Sequence, residues 1–272
     1  LKELRADLHM HTRASDGTLT PKELIKQIIE NNIDIFAVTD HDTIGSIEET
    51  RKLAKEHGKI FIPGVEISSL LDGEVFHILA YNFDENHKEF IDLIKNNEHL
   101  LEKKDDDSIK MLIEHGFDLD FEEYLQYEHN PMNGGWKTLN FLKEKGLCSN
   151  VNEFFTKIFV RERALEYPDF PHPKEVIEMI IKAGGVPILA HPRYGKSKFT
   201  LEETLENFKN WGVKGIECLH PHHNKDVINK LKEYCIQNNL IITGGSDYHG
   251  GLITERSLGY PEFYSRGDIF LK

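Results

Sequence analysis

The chain is poor in cysteine, with three in 272 residues, at Cys148, Cys218 and Cys235. An odd, widely spaced trio argues against a disulfide framework and reads as reduced thiols of a cytoplasmic protein. No apolar run approaches the roughly 18 residues of a membrane span, and the opening residues do not read as a signal peptide, so no membrane association is expected. Positive charge is scarce as well: Lys+Arg 33 against Asp+Glu 46 gives a net charge of −13. That balance argues against gripping long nucleic acid by bulk charge, yet leaves room for a small phosphorylated ligand at a local site. Repeats and low-complexity tracts are absent too. With 39% apolar and 29% charged residues the chain can bury a real core. What it has in plenty is histidine, 15 in all, many of them beside Asp or Glu.

The length fits a single α/β barrel of about 250 residues. Strands are expected over 4–11, 33–39, 60–65 and 75–81. Thr20-Pro21-Lys22-Glu23 is a capping box with proline at the first helical position. A second helix is expected over 46–57, stopped by Gly58. From about 84 to 170 the sequence turns helical and charged with no convincing strand, and Lys103-Lys104-Asp105-Asp106-Asp107 reads as a solvated helix face. The α/β rhythm resumes at Pro173, with strands over 186–190, 213–219 and 240–243. The division expected is one barrel domain, 1–84 plus 171–272, carrying a helical insertion at 85–170.

Polar clusters fall at the strand ends, where α/β barrels build their sites. Asp7-Leu8-His9-Met10-His11 ends the first strand; residues two apart share a side, so His9 and His11 can hold one cation, with Asp7 orienting an imidazole. Asp16, Asp40-His41-Asp42, Glu66, His77, His191, Glu217 to His223 and Asp247-Tyr248-His249 follow in turn. Unpaired buried charge is expensive, so imidazoles and carboxylates converging on one rim point to a metal site. Nitrogen and oxygen donors without sulfur suit Mn, Fe, Zn or Co. His57, His87, His99, His115 and His129 lack such partners and read as solvated or capping residues, and His172 as part of a helix entry.

The motifs ADLHMHT, SDGTLTP, AVTDHDT, GVEIS, HILAY, PILAHPRYG, GIECLHPHH and GGSDYHG together resemble the PHP (polymerase and histidinol phosphatase) superfamily, over 4–84 and 173–260. Within it the chain is most similar to the stand-alone phosphoesterases related to bacterial nucleoside 3′,5′-bisphosphate phosphatase (RNase AM). The resemblance implies a distorted seven-stranded β/α barrel with three divalent metal ions (Mn, Fe or Zn). His9, His11, Glu66 and Asp247 would hold one metal. Glu66 would bridge to a second, held also by His77 and His191. Asp16, His41 and His249 would hold the third, with Asp7 and Asp40 behind the ligands.

The chemistry implied is hydrolysis of a phosphomonoester by a metal-bridging hydroxide, without a covalent enzyme intermediate. Arg193, two residues after His191, suits bidentate phosphate binding. His222 or His223 would bind phosphate or protonate the leaving group, with His223 the better match to the family's single histidine. Of His220 and His222, at least one is expected to be mere surface. Relatives acting on nucleotides carry a Gly-Arg-Pro-His-like segment in the insertion. Here it reads Asn133-Gly134-Gly135-Trp136-Lys137-Thr138, where Lys137 would replace one positive charge and Trp136 would stack a base or simply pack. The substrate expected is a small phosphorylated metabolite, favoured as a nucleoside 3′,5′-bisphosphate or short oligonucleotide end. No obligate protein partner is expected. The alternatives are a histidinol-phosphate-type phosphatase and a non-catalytic metal-binding module.

Overall fold

A computed structural model describes residues 3–160, 163–192, 197–266 and 268–270. β1 (Leu4–Asp7), β2 (Ile35–Val38) and β3 (Ile60–Leu71) run parallel, joined by α1 (Pro21–Glu30) and α2 (Ile47–Glu56). The Thr20 capping box forms as the sequence predicts, and Leu24, Ile25 and Ile28 of α1 turn into the core. β4 (Glu74–Tyr81) folds back antiparallel to β3. After the helical segment come α7 (Pro173–Lys182), β5 (Val186–Leu189), α8 (Leu201–Trp211), β6 (Gly215–Leu219), α9 (Lys225–Gln237), β7 (Ile241–Gly244) and β8 (Phe263–Ser265).

The sheet has the order β7-β6-β5-β4-β3-β2-β1-β8, eight strands where seven are expected. The addition is β8, a three-residue strand paired antiparallel to β1. The sheet curls until its ends meet. The Leu8 amide donates to the Gly244 carbonyl at 3.1 Å, and a bridge between Met10 and Tyr248 continues the seam. Alternation along β4 shows how the two faces are used. Leu79 and Tyr81 join the cluster with Ala6, Leu8, Ile35 and Ile188, whereas Ile78 and Ala80 join the layer covered by α7 and α8.

Between β4 and α7 lie α3 (Lys88–Glu114), α4 (Phe121–Gln126), α5 (Lys137–Glu144) and α6 (Val151–Glu153). They enclose an apolar cluster of their own, including Leu112, Tyr124, Leu139, Phe141 and Phe154. The long helix α3 serves both cores: Phe90 and Ile94 pack on the barrel, Ile109 and Leu112 in the insertion. The charge run in its middle is not wholly solvated, as the sequence suggests. Lys103 and Asp107 are exposed and paired, but Asp105 is buried, accepting the Thr138 amide at 3.3 Å. Asp105, Ser108, Ile109 and Leu112 share one helical face, so the helix register buries Asp105 along with its apolar neighbours.

Candidate metal centre

Two seams of backbone bring the site together. Beyond β1, His9 and His11 run beside the segment after β7: the Asp247 amide donates to His9 O (2.8 Å) and the His11 amide to Tyr248 O (2.9 Å). Gly245 makes this approach possible, since a Cβ there would lie 2.4 Å from His9 Cβ. On the other side, His41 bridges to Glu66 in β3. β4 runs against its neighbours, so the register sets its fourth residue, His77, opposite Ser68 at the same rim. Asp247 sits in the left-handed region (φ 50°), a conformation aspartate tolerates better than most residues.

The buried carboxylate of Glu66 is the hub. Its Oε1 lies 2.9 Å from His77 Nδ1 and 2.8 Å from His191 Nε2. Its Oε2 lies 3.0 Å from His9 Nε2, 3.3 Å from His11 Nε2 and 3.3 Å from His41 Nδ1. Asp247 Oδ1 adds contacts to His11 (3.0 Å) and His9 (3.3 Å), and Asp16 Oδ2 one to His249 (3.3 Å). Four groups of donors each converge within 4.8 Å: His9, His11, Glu66 and Asp247; His11, Asp16, His41 and His249; His41, Glu66 and His77; and His9, His191 and Glu217. All nine residues named from the sequence as ligands meet in one cluster, and Glu217 joins them.

These residues fit divalent cations on chemical grounds. Five imidazoles press on one carboxylate, more than protons alone can bind without placing cationic rings against each other. Burial pushes His9 and His11 down, but Glu217, Glu66 and Asp247 hold His9 well above the usual histidine range, and Asp247, Glu66 and Asp16 hold His11 at about 10. Burial wins at His41, lowered to about 3. The result is cationic and neutral rings stacked together, with His11 and His41 centroids 4.6 Å apart. His11 Nδ1 is buried with no hydrogen-bond partner, an orphaned donor or acceptor at the heart of the cluster.

The contacts of the supporting groups are set by the fold, and one of these groups, Arg256, is not singled out by the sequence. Glu217 Oε1 is 2.9 Å from His9 Nδ1, and its Oε2 accepts the His191 amide at 2.8 Å. Burial raises the Glu217 carboxyl, but His9, His220 and His191 hold it below its ordinary range. Arg256 Nη1 lies 2.6 Å from Asp247 Oδ2 and donates to Asp247 O at 2.9 Å. His220 is buried, 3.2 Å from Asp247 Oδ2, and burial lowers it to about 4, while His222 is the exposed member of that pair. Asp7 does not orient an imidazole; it accepts the amides of Ser246 (2.9 Å) and Gly259 (2.8 Å). Asp40 likewise gathers Thr12, Ser15 and Ser46 rather than a ring.

The cluster floors an open cleft of about 780 Å³. Trp136, Val151, Phe155 and Tyr167 of the insertion form an apolar wall, facing His222 and Arg256. The insertion docks on the site loop through Gly135, whose amide donates to Asp16 O at 2.7 Å; a Cβ on Gly134 would lie 2.9 Å from the same oxygen. Trp136 packs edge-on to Phe154 at 5.1 Å, and its Nε1 is buried without a partner.

Other expected contacts are not made. Lys137 does not reach the cleft: its ammonium lies 4.5 Å over the Tyr124 ring and donates to Leu125 O at 3.2 Å. Trp136 occupies the position facing the cleft, and one step along a helix turns the next side chain about 100° away. His223 lines the cleft, with its ring nitrogens 3.0 Å from Cys218 O and 3.0 Å from Pro192 O. Arg193 lies outside the described residues. His87 and His172 cap α3 and α7, and His57 and His115 end α2 and α3. The three cysteines are free, with Cys218 and Cys235 sulfurs 3.6 Å apart. Among the described residues no helix is long and apolar enough to cross a membrane.

Comparison with known proteins points to one family. The model of the PHP domain matches residues 7–131. A 5′-3′ exoribonuclease of Haemophilus influenzae is 31% identical over 89% of this chain and 89% of its own length. A 3′,5′-nucleoside bisphosphate phosphatase of Chromobacterium violaceum is 27% identical over 94% and 91% of the two chains. The fold also matches the crystal structure of a Bifidobacterium adolescentis protein provisionally described as a metal-dependent phosphoesterase. Its TM-score is 0.80 at 24% identity, covering 94% of this chain and 91% of that one. The chain belongs to the PHP family of metal-dependent phosphoesterases.

Proposed function

We propose that this phosphoesterase acts on a nucleotide-type substrate carrying a terminal phosphate, either a nucleoside 3′,5′-bisphosphate or the end of a short oligonucleotide. One observation carries the reading: a cluster suited to cations and phosphate shares its cleft with an aromatic wall. Phe155 and Tyr167, 43% and 39% exposed, line the cleft beside Trp136, and aromatic faces there suit stacking against a base.

Three cations would be held, one by His9, His11, Glu66 and Asp247, one by Glu66, His77 and His191, and one by Asp16, His41 and His249. Bound divalent cations neutralise the phosphoryl oxygens, lower the pKa of an attacking water and stabilise the leaving oxygen. The chain's own residues supply the rest. Glu217 fixes the His9 ring through Nδ1 and so directs Nε2 at the cluster. Arg256 holds Asp247 in place from the cleft side. His222, exposed and lining the cleft with no hydrogen bond on its ring among the described residues, is placed to give a proton to the leaving oxygen. The segment 85–170 acts as the part that selects the substrate.

The test is release of inorganic phosphate or mononucleotide from a substrate panel after reconstitution with Mn²⁺. The panel holds nucleoside bisphosphates, nucleoside monophosphates, 5′-phosphorylated trinucleotides and histidinol phosphate. Preference for the nucleotides supports the proposal. Preference for histidinol phosphate, or full metal loading without turnover of any nucleotide, overturns it.

A further inference from the structure

We propose that the Lys104 ammonium forms a second anion subsite of the cleft, taking a substrate phosphate other than the one hydrolysed at the Glu66 cluster. This rests on the nucleotide reading above and deepens it.

The position follows from helix geometry. Asn97 docks α3 on the barrel rim, its amide donating to Asp42 Oδ1 and to Ser68 O, each at 2.8 Å. Lys104 lies seven residues further, about two turns on and on the same face. Its ammonium sits 5.8 Å from the ring centre of Trp136, which lines the cleft. The carboxylates whose charge acts on it are Asp105, Asp16 and Asp42, two of them on the barrel side.

The ammonium has no counter-ion. Lys103 and Lys110 on the same helix pair with Asp107, but among the described residues no carboxylate lies within ion-pairing distance of Lys104. The carboxylate of its neighbour Asp105 accepts the Thr138 amide, the Thr138 hydroxyl donates to the Asp105 backbone carbonyl, and burial pushes the Asp105 carboxyl up. Lys104 is only partly exposed, and a cation drawn partly out of water without a partner is costly, a cost that an arriving anion would offset. Among the described residues the other candidate cations of the cleft are committed: Lys137 points elsewhere, the segment from Asn133 to Thr138 holds no arginine, and Arg256 is paired with Asp247. Lys104 supplies a point charge on a flexible stem, which accepts a phosphate without demanding one planar approach.

The experiment compares Lys104→Met and Lys104→Gln, which remove the charge, with Lys104→Arg, which keeps it. The probes are adenosine 3′,5′-bisphosphate, adenosine 5′-monophosphate and adenosine 3′-monophosphate. Calorimetric binding is read on chelator-treated protein, where the ligand is not consumed, and kcat and KM on the Mn²⁺-loaded enzyme. We expect both neutral variants to weaken bisphosphate binding about 10- to 100-fold, the loss of one charge-assisted contact. The loss should fall in KM rather than kcat, leave at least one monophosphate nearly unaffected, and be largely recovered by arginine. Equal losses on all three ligands, or no loss on any, overturn the inference. If the wild type turns over no nucleotide while bisphosphate binding still depends on Lys104, the functional reading fails and the subsite stands.

Discussion

Glu217 and His9 form a buried carboxylate–imidazole pair, 2.9 Å apart, with the second carboxylate oxygen taken by the His191 amide. One residue thus positions two neighbouring candidate ligands, whose rings stack 5.5 Å apart. Glu217→Gln keeps the shape but must turn an amide group, a donor, toward either the His9 Nδ1–H or the His191 N–H. We expect metal affinity to fall about 10- to 100-fold. Metal titration with the folded variant checks this; unchanged affinity would show that Glu217 only fills space.

Arg256 pairs with Asp247 through both its carboxylate and its backbone oxygen. Arg256→Lys retains a charge, but its shorter side chain does not carry a donor to the place from which Nη1 reaches both oxygens. Turnover is therefore expected to drop at least about tenfold, from loss of roughly 1.5–3 kcal/mol of charge-assisted hydrogen bonding. Metal content and steady-state rates of the same preparation separate a loss of cations from a loss of catalysis.

Trp136 lines the cleft edge-on to Phe154. If it faces a base, Trp136→Leu weakens nucleotides by about 1–3 kcal/mol, roughly a factor of 5 to 150 in KM. A ribose phosphate without a base should keep its KM. Equal effects on both would reduce Trp136 to a packing residue.

Burial, partly offset by Lys104 and by hydrogen bonds from Thr138, raises the Asp105 carboxyl above its ordinary 3.8. The folded chain then holds this proton more tightly than the unfolded one. Its contribution to stability is greatest below about pH 3.8 and falls as pH rises through the higher folded-state value. In Asp105→Asn the side-chain amide oxygen would accept the same Thr138 amide without a charge. The melting temperature of that variant relative to wild type should therefore climb from pH 4 toward neutrality, and a flat difference would refute the assignment.

The ligand residues were legible because each belongs to a short motif at the end of a strand or loop, where residue type alone signals chemistry. His77 was legible despite lying inside β4, because a histidine alternating with Phe76 and Ile78 must face the other side. Glu217 was visible among the strand-end clusters, but its pairing with His9, 208 residues away, is set only when the barrel closes; Arg256 was not legible, since nothing in the sequence marks its pairing with Asp247 nine residues back. β8 is too short for alternation to reveal. The run around Asp105 misled because charge density outweighed a visible signal: Asp105, Ser108, Ile109 and Leu112 already sit at helical spacing.

The continuity of α3 through both cores gives the distance between Asn97 and Lys104 the status of a ruler. A single inserted residue between them would leave Asn97 docked and swing Lys104 about 100° round the helix axis. Point substitutions can retune this wall of the cleft one side chain at a time. Length changes in that heptad cannot, so any transplant of the helical insertion onto a related barrel has to join the two chains before Asn97 or keep the residue count between the two positions unchanged.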